Sequence, residues 1–404
     1  MSRIPDSYTL FVSDLFLYHG GVSDYTDNLA QQLYKKKRLS TVVTPFPSNI
    51  RRDYSIELFD INPGRKSNYF DRWIISRKIV TLFFYTRLYI EAYKGLKKLK
   101  LQKKNECLIF TEYYTFQFDI IIFCARFLKI KYAIVFHGLD LICEKNQSFT
   151  HFSKNFSNAE FIIYNSEATR LLAFELLKAT HEHTMILYPG IDIAALEKYI
   201  NFENKSSVIS KMQGEIIMAT VSRLVKRKGI DLAIRMVCEL GKTSLPIRYY
   251  IAGSGEEKKE LEALVKHLNA EQFIFFLGDI SNEEKYSLLK TSDFFLFPNH
   301  SAGNNDFEGF GISCIEASFF GNVIIGGNHG GVKEAVINGI TGFLFDFDDP
   351  LSIESALTAI KKCIESPELC GKIKSQGMEY VRVKYDWNQL IHHFIQSEQS
   401  FFAA

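Results

Sequence analysis

The sequence predicts an α/β protein built of two parallel-sheet domains, and three observations carry that prediction. The chain has 404 residues, more than one hydrophobic core usually organises, so two domains are expected. Short β-branched or aromatic runs alternate with helix-period stretches along nearly all of it, the pattern of parallel sheets covered by helices on both faces. Near the midpoint the polar segment NFENKSSVISKMQG, residues 201–214, interrupts the alternation and reads as a linker.

Before that break, the runs Tyr8 to Leu17, Thr41 to Thr44, Leu108 to Thr111, Lys131 to Phe136, Phe161 to Tyr164 and Met185 to Tyr188 read as strands. After it come Glu215 to Val221, Ile247 to Ala252, Phe273 to Leu277, Phe294 to Phe297, Val323 to Ile325 and Phe343 to Phe345. Helical stretches lie between, such as EEKKELEALVKHL at 256–268 with its apolar residues at helical spacing. Open sheets of this kind take ligands at the carboxyl ends of their strands, so functional residues should follow strands, and two facing domains would share a cleft.

Composition narrows the function classes. About half of the residues are apolar (47%), enough for two cores and too many for long disorder. The net charge of +2 hides an asymmetry: residues 1–195 carry 26 Lys+Arg against 19 Asp+Glu (+7), leaving 22 against 27 (−5) for the rest. Seven cysteines (Cys107, Cys124, Cys143, Cys238, Cys314, Cys363, Cys370) form no C-x-x-C pair and are odd in number. They suit buried thiols in a reducing cytosol better than a disulfide frame or zinc site. The apolar stretch near the N-terminus is broken by Ser13 and Asp14, and nowhere do 18 apolar residues run together. Neither a secretion signal nor a membrane span is expected.

Gly20 and Gly21 follow the first strand and open a helix at DYTDNLAQQLY. They fit either a tight strand-to-helix turn or a loop whose amides and helix dipole receive an anion. His137 stands beside Gly138 at a strand's carboxyl end, as either a structural or a reacting group. Arg223 and Lys228 bracket the turn after the strand ending at Val221; they are either solvated or a clamp on a diphosphate. Gly253-Ser254-Gly255 supplies part of a dinucleotide fingerprint, but the third glycine is missing, so an NAD-dependent oxidoreductase is improbable.

The stretch EGFGISCIE, residues 308–316, follows a strand and a long polar loop. A helix can start only after its glycines, near Gly311, which leaves Glu308 in the loop and Glu316 in the first turns. Two such carboxylates would approach one ligand from different directions, each able to accept two hydroxyl hydrogen bonds from a sugar diol. The amides of Phe310, Gly311 and Ile312 would point at an anion. The plain alternative is an acidic residue that merely complements the helix dipole, which does not account for the glycines beside Glu308.

Gly20-Gly21, Phe136-His137-Gly138, Ser222-Arg223-Leu224 with Gly229, Ala252-Gly253-Ser254-Gly255, Glu308 to Glu316, and Gly330-Gly331 with Glu334, Gly339 and Gly342 occur in this order. In that order and in its E-x7-E element the chain resembles family 4 of the retaining glycosyltransferases, from about residue 8 to the Trp387 helix. The resemblance implies the GT-B fold of two Rossmann-like domains. It places an acceptor-binding domain at 1–195, a nucleotide-sugar-binding domain at 196–385, and a final helix at 386–404 that returns to the first domain. It implies that Arg223 and Lys228 neutralise the donor diphosphate, Glu316 binds the ribose, Glu308 orients the transferred sugar, His137 lies near the reacting centre, and the Gly20-Gly21 loop closes over the phosphates. Gly253, Phe310, Gly311 and Ile312 complete the donor-binding set, no metal or other cofactor is needed, and no nucleic-acid partner is expected. Two positions depart from the family pattern: Ser222 stands where Gly is frequent, and Tyr188-Pro189-Gly190-Ile191-Asp192 lacks the usual Asn.

With no obvious carboxylate nucleophile, retention of configuration points to front-face transfer. The acceptor expected is a growing, lipid-linked surface glycan (lipopolysaccharide, capsule or exopolysaccharide), and the donor a UDP- or GDP-linked hexose. Residues 65–104 hold 12 Lys+Arg against two acids among several aromatics, a composition that suits either an anionic membrane surface or an ordinary amphipathic helix. The protein is expected to be cytoplasmic and peripheral on the inner face of the membrane. Rival readings are a soluble transferase making a storage or small-molecule glycoside, and a non-catalytic nucleotide-sugar-binding subunit.

Overall fold

A computed structural model describes residues 4–12, 20–44, 52–58, 89–101, 105–111, 116–145, 154–201, 209–243, 245–301, 303 and 306–403. The chain divides into two compact units. Unit 1 comprises residues 1–165, 169–187 and 391–404, and unit 2 comprises 166–168 and 188–390.

Unit 1 is a seven-stranded parallel sheet. Its elements run β1 (Ser7–Phe11), α1 (Gly21–Lys35), β2 (Leu39–Thr44), β3 (Ile56–Leu58), α2 (89–101), β4 (Glu106–Phe110), α3 (Phe116–Phe127), β5 (Lys131–Phe136), α4 (Leu139–Lys145), α5 (154–157), β6 (Phe161–Tyr164), α6 (Glu167–Leu177, whose first two residues fall in unit 2) and β7 (Thr184–Ile186). The strand order β3-β2-β1-β4-β5-β6-β7 reverses direction between β1 and β4. On one face Phe110, Tyr132, Ile134 and Phe136 meet α3 through Phe118, Ile121 and Ile122. These strands are buried on both faces, which is why they appear in the sequence as unbroken apolar runs.

Unit 2 repeats the plan with six parallel strands. It contains α7 (Ile193–Asn201), β8 (Ile216–Val221), a single 3₁₀ turn at Lys226–Lys228, α8 (Ile230–Gly241), β9 (Ile247–Ala252), α9 (Lys258–His267), β10 (Ile274–Gly278) and α10 (Asn282–Thr291). There follow β11 (Phe294–Phe297), α11 (Ile312–Phe319), β12 (Val323–Gly327), α12 (Val332–Ala335), β13 (Gly342–Phe345), α13 (Ser352–Glu365), α14 (Pro367–Lys384) and the first residues of α15 (Trp387–Ala403). The order β10-β9-β8-β11-β12-β13 reverses between β8 and β11. Such a reversal leaves a crevice beyond the carboxyl ends of the two central strands, because the connections leave them in opposite directions.

Helix α15 begins in unit 2 and ends in unit 1. In unit 1 its Glu398 carboxylate is fully buried, accepts the Tyr8 hydroxyl, and pairs with Arg38 at 2.9 Å. The Phe394 ring meets Tyr8 edge-on at 5.7 Å. A buried carboxylate satisfied by a cation and a hydroxyl fixes where the helix lies on β1.

Several sequence expectations shift at their edges. The units divide at Leu187/Tyr188, earlier than residue 195, because the Tyr188 ring packs on Phe310 at 5.7 Å and Tyr385 at 5.6 Å within unit 2. The first strand ends at Phe11, and its expected continuation through residues 13–17 lies outside the described residues. Of the linker, 202–208 also lie outside, while Ile209 is buried in the unit 2 core. Helix α1 starts at Gly21 rather than at Asp24, so the second glycine is its first residue. No helix among the described residues is long and apolar enough to cross a membrane.

Candidate active site

The loops beyond β8 and β11 bring charge together in unit 2. After β8 the chain enters the 3₁₀ turn Lys226–Lys228 and leaves it through Gly229 at φ +63°. A Cβ on Gly229 would stand 2.0 Å from the Pro298 carbonyl oxygen, so only glycine lets this turn lie against the β11 loop. The close approach is what delivers Lys228 to Glu308: Nζ to Oε2 is 2.6 Å, with both side chains buried. The Lys228 ammonium also lies 4.4 Å from the Phe297 ring centroid.

Arg227, not singled out from the sequence, is buried beside them. Its Nε lies 3.3 Å from Glu308 Oε2 and 3.3 Å from Asp306 Oδ1, shared between two carboxylates. Arg223 is exposed at the mouth of the same cluster. Burial pushes the Lys228 ammonium down to about 8; Glu308 opposes that, while Arg227 and Arg223 reinforce it. For Glu308, burial would raise the carboxyl, but Lys228 and Arg227 hold it below the ordinary carboxylate range. Burial leads the shift at Lys228 and the neighbouring cations lead it at Glu308; together they mark a local excess of positive charge in a poorly solvated place. An arriving dianion would relieve it.

Phe310, Gly311 and Ile312 lead into α11, whose N-cap is Gly311 at φ +95°. Glu308 stays in the loop and Glu316 lies in the helix, on opposite sides of this start, as their spacing predicted. Glu316 is already engaged: its Oε1 accepts from Lys285 on α10 at 2.7 Å. So Lys228 and Glu308, expected to serve different parts of a donor, touch each other, and Glu316 has a partner the sequence did not announce.

Gly253, at φ +128°, would place a Cβ 1.9 Å from the Ser222 carbonyl oxygen, and its amide donates to Gly278 at 2.7 Å. A glycine is thus needed here for the β8 and β9 loops to pack against each other. His137 in unit 1 is buried. Its Nε2 is 2.8 Å from the Thr111 carbonyl, which can only accept, so Nε2 carries the hydrogen and Nδ1 faces the Asn165 amide at 3.5 Å. Burial lowers this imidazole to about 4. Near neutrality it is an uncharged ring held in place by its neighbours at the carboxyl end of β5.

The loop that carries His137 is fastened by Asp140, whose buried carboxylate accepts the N–H groups of His137, Gly138 and Leu141 at 2.8–3.1 Å. At Gly20 the backbone is extended at φ −173° and an added Cβ would meet nothing within 4 Å among the described residues. In unit 1, Gly20, Thr111 and His137 all follow the carboxyl ends of β1, β4 and β5.

Comparison with known proteins agrees with this architecture. Residues 201–380 match the family described as "Glycosyl transferases group 1". An Escherichia coli K12 glycosyltransferase assigned by name to colanic acid biosynthesis is 24% identical over 65% of this chain and 62% of its own. The mouse alpha-1,3/1,6-mannosyltransferase ALG2 is 26% identical over 56% of this chain and 55% of its own. A Mycolicibacterium smegmatis GDP-mannose-dependent alpha-(1-6)-phosphatidylinositol monomannoside mannosyltransferase is 28% identical over 42% and 44%. The matches thus span less than two thirds of these relatives' lengths. Among solved structures, Anabaena Alr3699/HepE in complex with UDP and glucose superposes with a TM-score of 0.70 at 17% identity, over 97% of this chain and all of that one. The glycosyltransferase WaaG superposes with a TM-score of 0.65 at 13% identity, covering 96% and 99%. These likenesses establish the GT-B fold.

Proposed function

We propose, from the match of residues 201–380 to the family described as "Glycosyl transferases group 1", that the chain is a retaining hexosyltransferase. The donor is a UDP- or GDP-linked hexose, the acceptor a growing lipid-linked surface glycan, and transfer is front-face and metal-independent. The observation that carries the reading is the convergence of Arg223, Lys228 and Glu308 beyond β8 and β11, where the strand order reverses.

Cleavage of the bond from sugar C1 to the phosphate oxygen leaves the electron pair on the diphosphate. Lys228 and the amides at the start of α11, held by the fold, would meet that charge together with the exposed Arg223. Glu308, held by Lys228 and Arg227, presents its remaining acceptor capacity to sugar hydroxyls. A carboxylate so committed to cations is a poor nucleophile. The acceptor oxygen instead bonds to C1 on the face the phosphate leaves, and passes its proton to a phosphate oxygen. The GDP-mannose and phosphatidylinositol monomannoside in the mycobacterial relative's name support a nucleotide-linked hexose and a lipid-linked acceptor.

The testing experiment is a thermal-shift and transfer screen against a panel of nucleoside diphosphate sugars, run across pH 7–9.5. One donor class should raise the melting temperature and turn over. Because free Lys228 titrates near 8 and a bound dianion raises it, binding takes up a proton above that pH. Affinity should therefore fall by up to about tenfold per pH unit above 8. A panel without a binder, or a flat pH profile, overturns this assignment.

Membrane association is part of the proposal. Most of the basic stretch, residues 65–88 and 102–104, lies outside the described residues. In its remainder, α2 buries Ala92 and Leu96 while exposing Tyr89, Ile90, Leu101, Lys94, Lys97 and Lys98, and α3 exposes Phe123 and Phe127. The Tyr89 ring is 6.1 Å from Phe123 and Tyr93 is 6.2 Å from Phe127, so aromatic rings and ammonium groups share one surface. With each near-surface cation contributing about 1 kcal/mol, replacing Lys94, Lys97 and Lys98 by Gln should weaken flotation with anionic vesicles about a hundredfold. Unchanged flotation would exclude this surface.

A further inference from the structure

We propose that Lys285 is a positioning residue that makes the nucleotide site selective for ribose over 2′-deoxyribose, by fixing the carboxylate of Glu316. This rests on the reading of Glu316 as the ribose ligand and adds a residue to it.

Lys285 and Glu316 lie 31 residues apart in sequence and come from separate strand-to-helix connections. Lys285 is in the first turns of α10, just past β10; Glu316 is in the first turns of α11, past β11. Both helices begin where strands end, so the pair lies on the carboxyl edge of the sheet, the edge that carries Arg223, Lys228 and Glu308. The contact is short, 2.7 Å, and both side chains are largely enclosed, 14% and 13% exposed.

The placement of Lys285 is built rather than incidental. Ser281 and Glu284 close a capping box at the start of α10, with Glu284 N–H on the Ser281 hydroxyl at 3.2 Å and Ser281 N–H on the Glu284 carboxylate at 2.8 Å. Tyr286 stacks on Phe320, the residue that caps α11, at 5.6 Å, and packs on Tyr199 at 4.8 Å. The Asn322 side-chain amide donates both to Leu289 of α10 at 2.7 Å and to Ala317 of α11 at 3.0 Å. The two helices are thereby locked together on either side of the ion pair. The Lys285 ammonium also lies 4.7 Å from the Tyr286 ring centroid, which limits its swing.

An enclosed ion pair of this kind adds little net stability, because desolvation offsets the attraction. What it does supply is orientation. Lys285 occupies Oε1 of Glu316, and among the described residues Oε2 accepts no hydrogen bond. A carboxylate held at one oxygen and open at the other accepts hydroxyl hydrogen bonds in a fixed direction, and a ribose offers two adjacent hydroxyls where a 2′-deoxyribose offers one. Losing one hydrogen bond to a charged group is a difference of about tenfold or more in affinity.

The test compares UDP, GDP and ADP with their 2′-deoxy forms by calorimetry on the full chain. The parent should prefer the ribonucleotide it binds by about tenfold or more. Lys285→Met should bring that ratio close to one and lower the melting temperature, because the enclosed Glu316 carboxylate loses its partner, and Lys285→Arg should restore most of both. Glu316→Gln should lose the preference as Lys285→Met does. If Lys285→Met keeps the parent's ratio, the inference is overturned while the glycosyltransferase reading stands. A parent that binds the ribonucleotide without preference overturns the ribose role of Glu316 and the inference together. If the parent binds no nucleoside diphosphate at all, the parent reading falls and takes this one with it.

Discussion

Glu308→Ala is expected to lower the stability of unit 2 by about 3–5 kcal/mol, roughly a 10 °C fall in its melting temperature, and to abolish transfer. The substitution strands two buried cations, Lys228 and Arg227, which now face each other with only Asp306 nearby. Removing one member of a buried pair costs more than the pair was worth, because the remaining charge keeps its desolvation penalty and loses its partner. Lys228→Met combined with Glu308→Leu should therefore recover part of the stability, since an apolar pair of similar volume escapes that penalty while Arg227 keeps Asp306. It should recover none of the turnover, because the ammonium and the sugar-facing carboxylate are both gone. Denaturant unfolding of the single and double variants, beside a transfer assay, separates the two effects. A Glu308→Ala protein as stable as the parent would show that the pair is solvated and that the charge balance drawn above is wrong.

The same pair shows what the sequence discloses and what it withholds. Phe294 to Phe297, Ile247 to Ala252, Lys131 to Phe136 and Phe161 to Tyr164 were legible to the residue, because strands buried on both faces are apolar runs bounded by turn residues. The strand Ile56–Leu58 was not, since three residues carry no period. Charge types at the site were legible, but their pairing was not. Lys228 and Glu308 are 80 residues apart, and only the placement of β11 beside β8 joins them. Arg227 hid in the basic run KRK, where neighbouring side chains normally diverge to solvent; the left-handed Gly229 that ends the turn is the signal that could have revealed it. Lys285 resembled any surface lysine of a polar helix. Its neighbour Tyr286 and the Ser281/Glu284 capping box were the cues that the helix start was held in place.

Arg223→Ala is expected to reduce kcat by about 10²–10³-fold while leaving the unfolding midpoint within about 0.5 kcal/mol of the parent. The contrast with Lys228 comes from exposure. Arg223 is at the surface, so its removal opens no cavity and leaves no buried charge unpaired. What it removes is a guanidinium able to grip two phosphate oxygens at once as the leaving group gains charge, which a lysine at this position would do poorly. Arg223→Lys should accordingly stay well below the parent in kcat although it preserves the charge. Steady-state kinetics on the preferred donor will show whether the loss lies in kcat or in KM. If the loss appears in KM alone, Arg223 only gathers the donor; a loss in kcat with an unchanged midpoint means the charge acts on the breaking bond. If kcat stays within about threefold of the parent, less than 1 kcal/mol of barrier, the diphosphate does not lie beyond β8 and the assignment of this switch point to the donor fails.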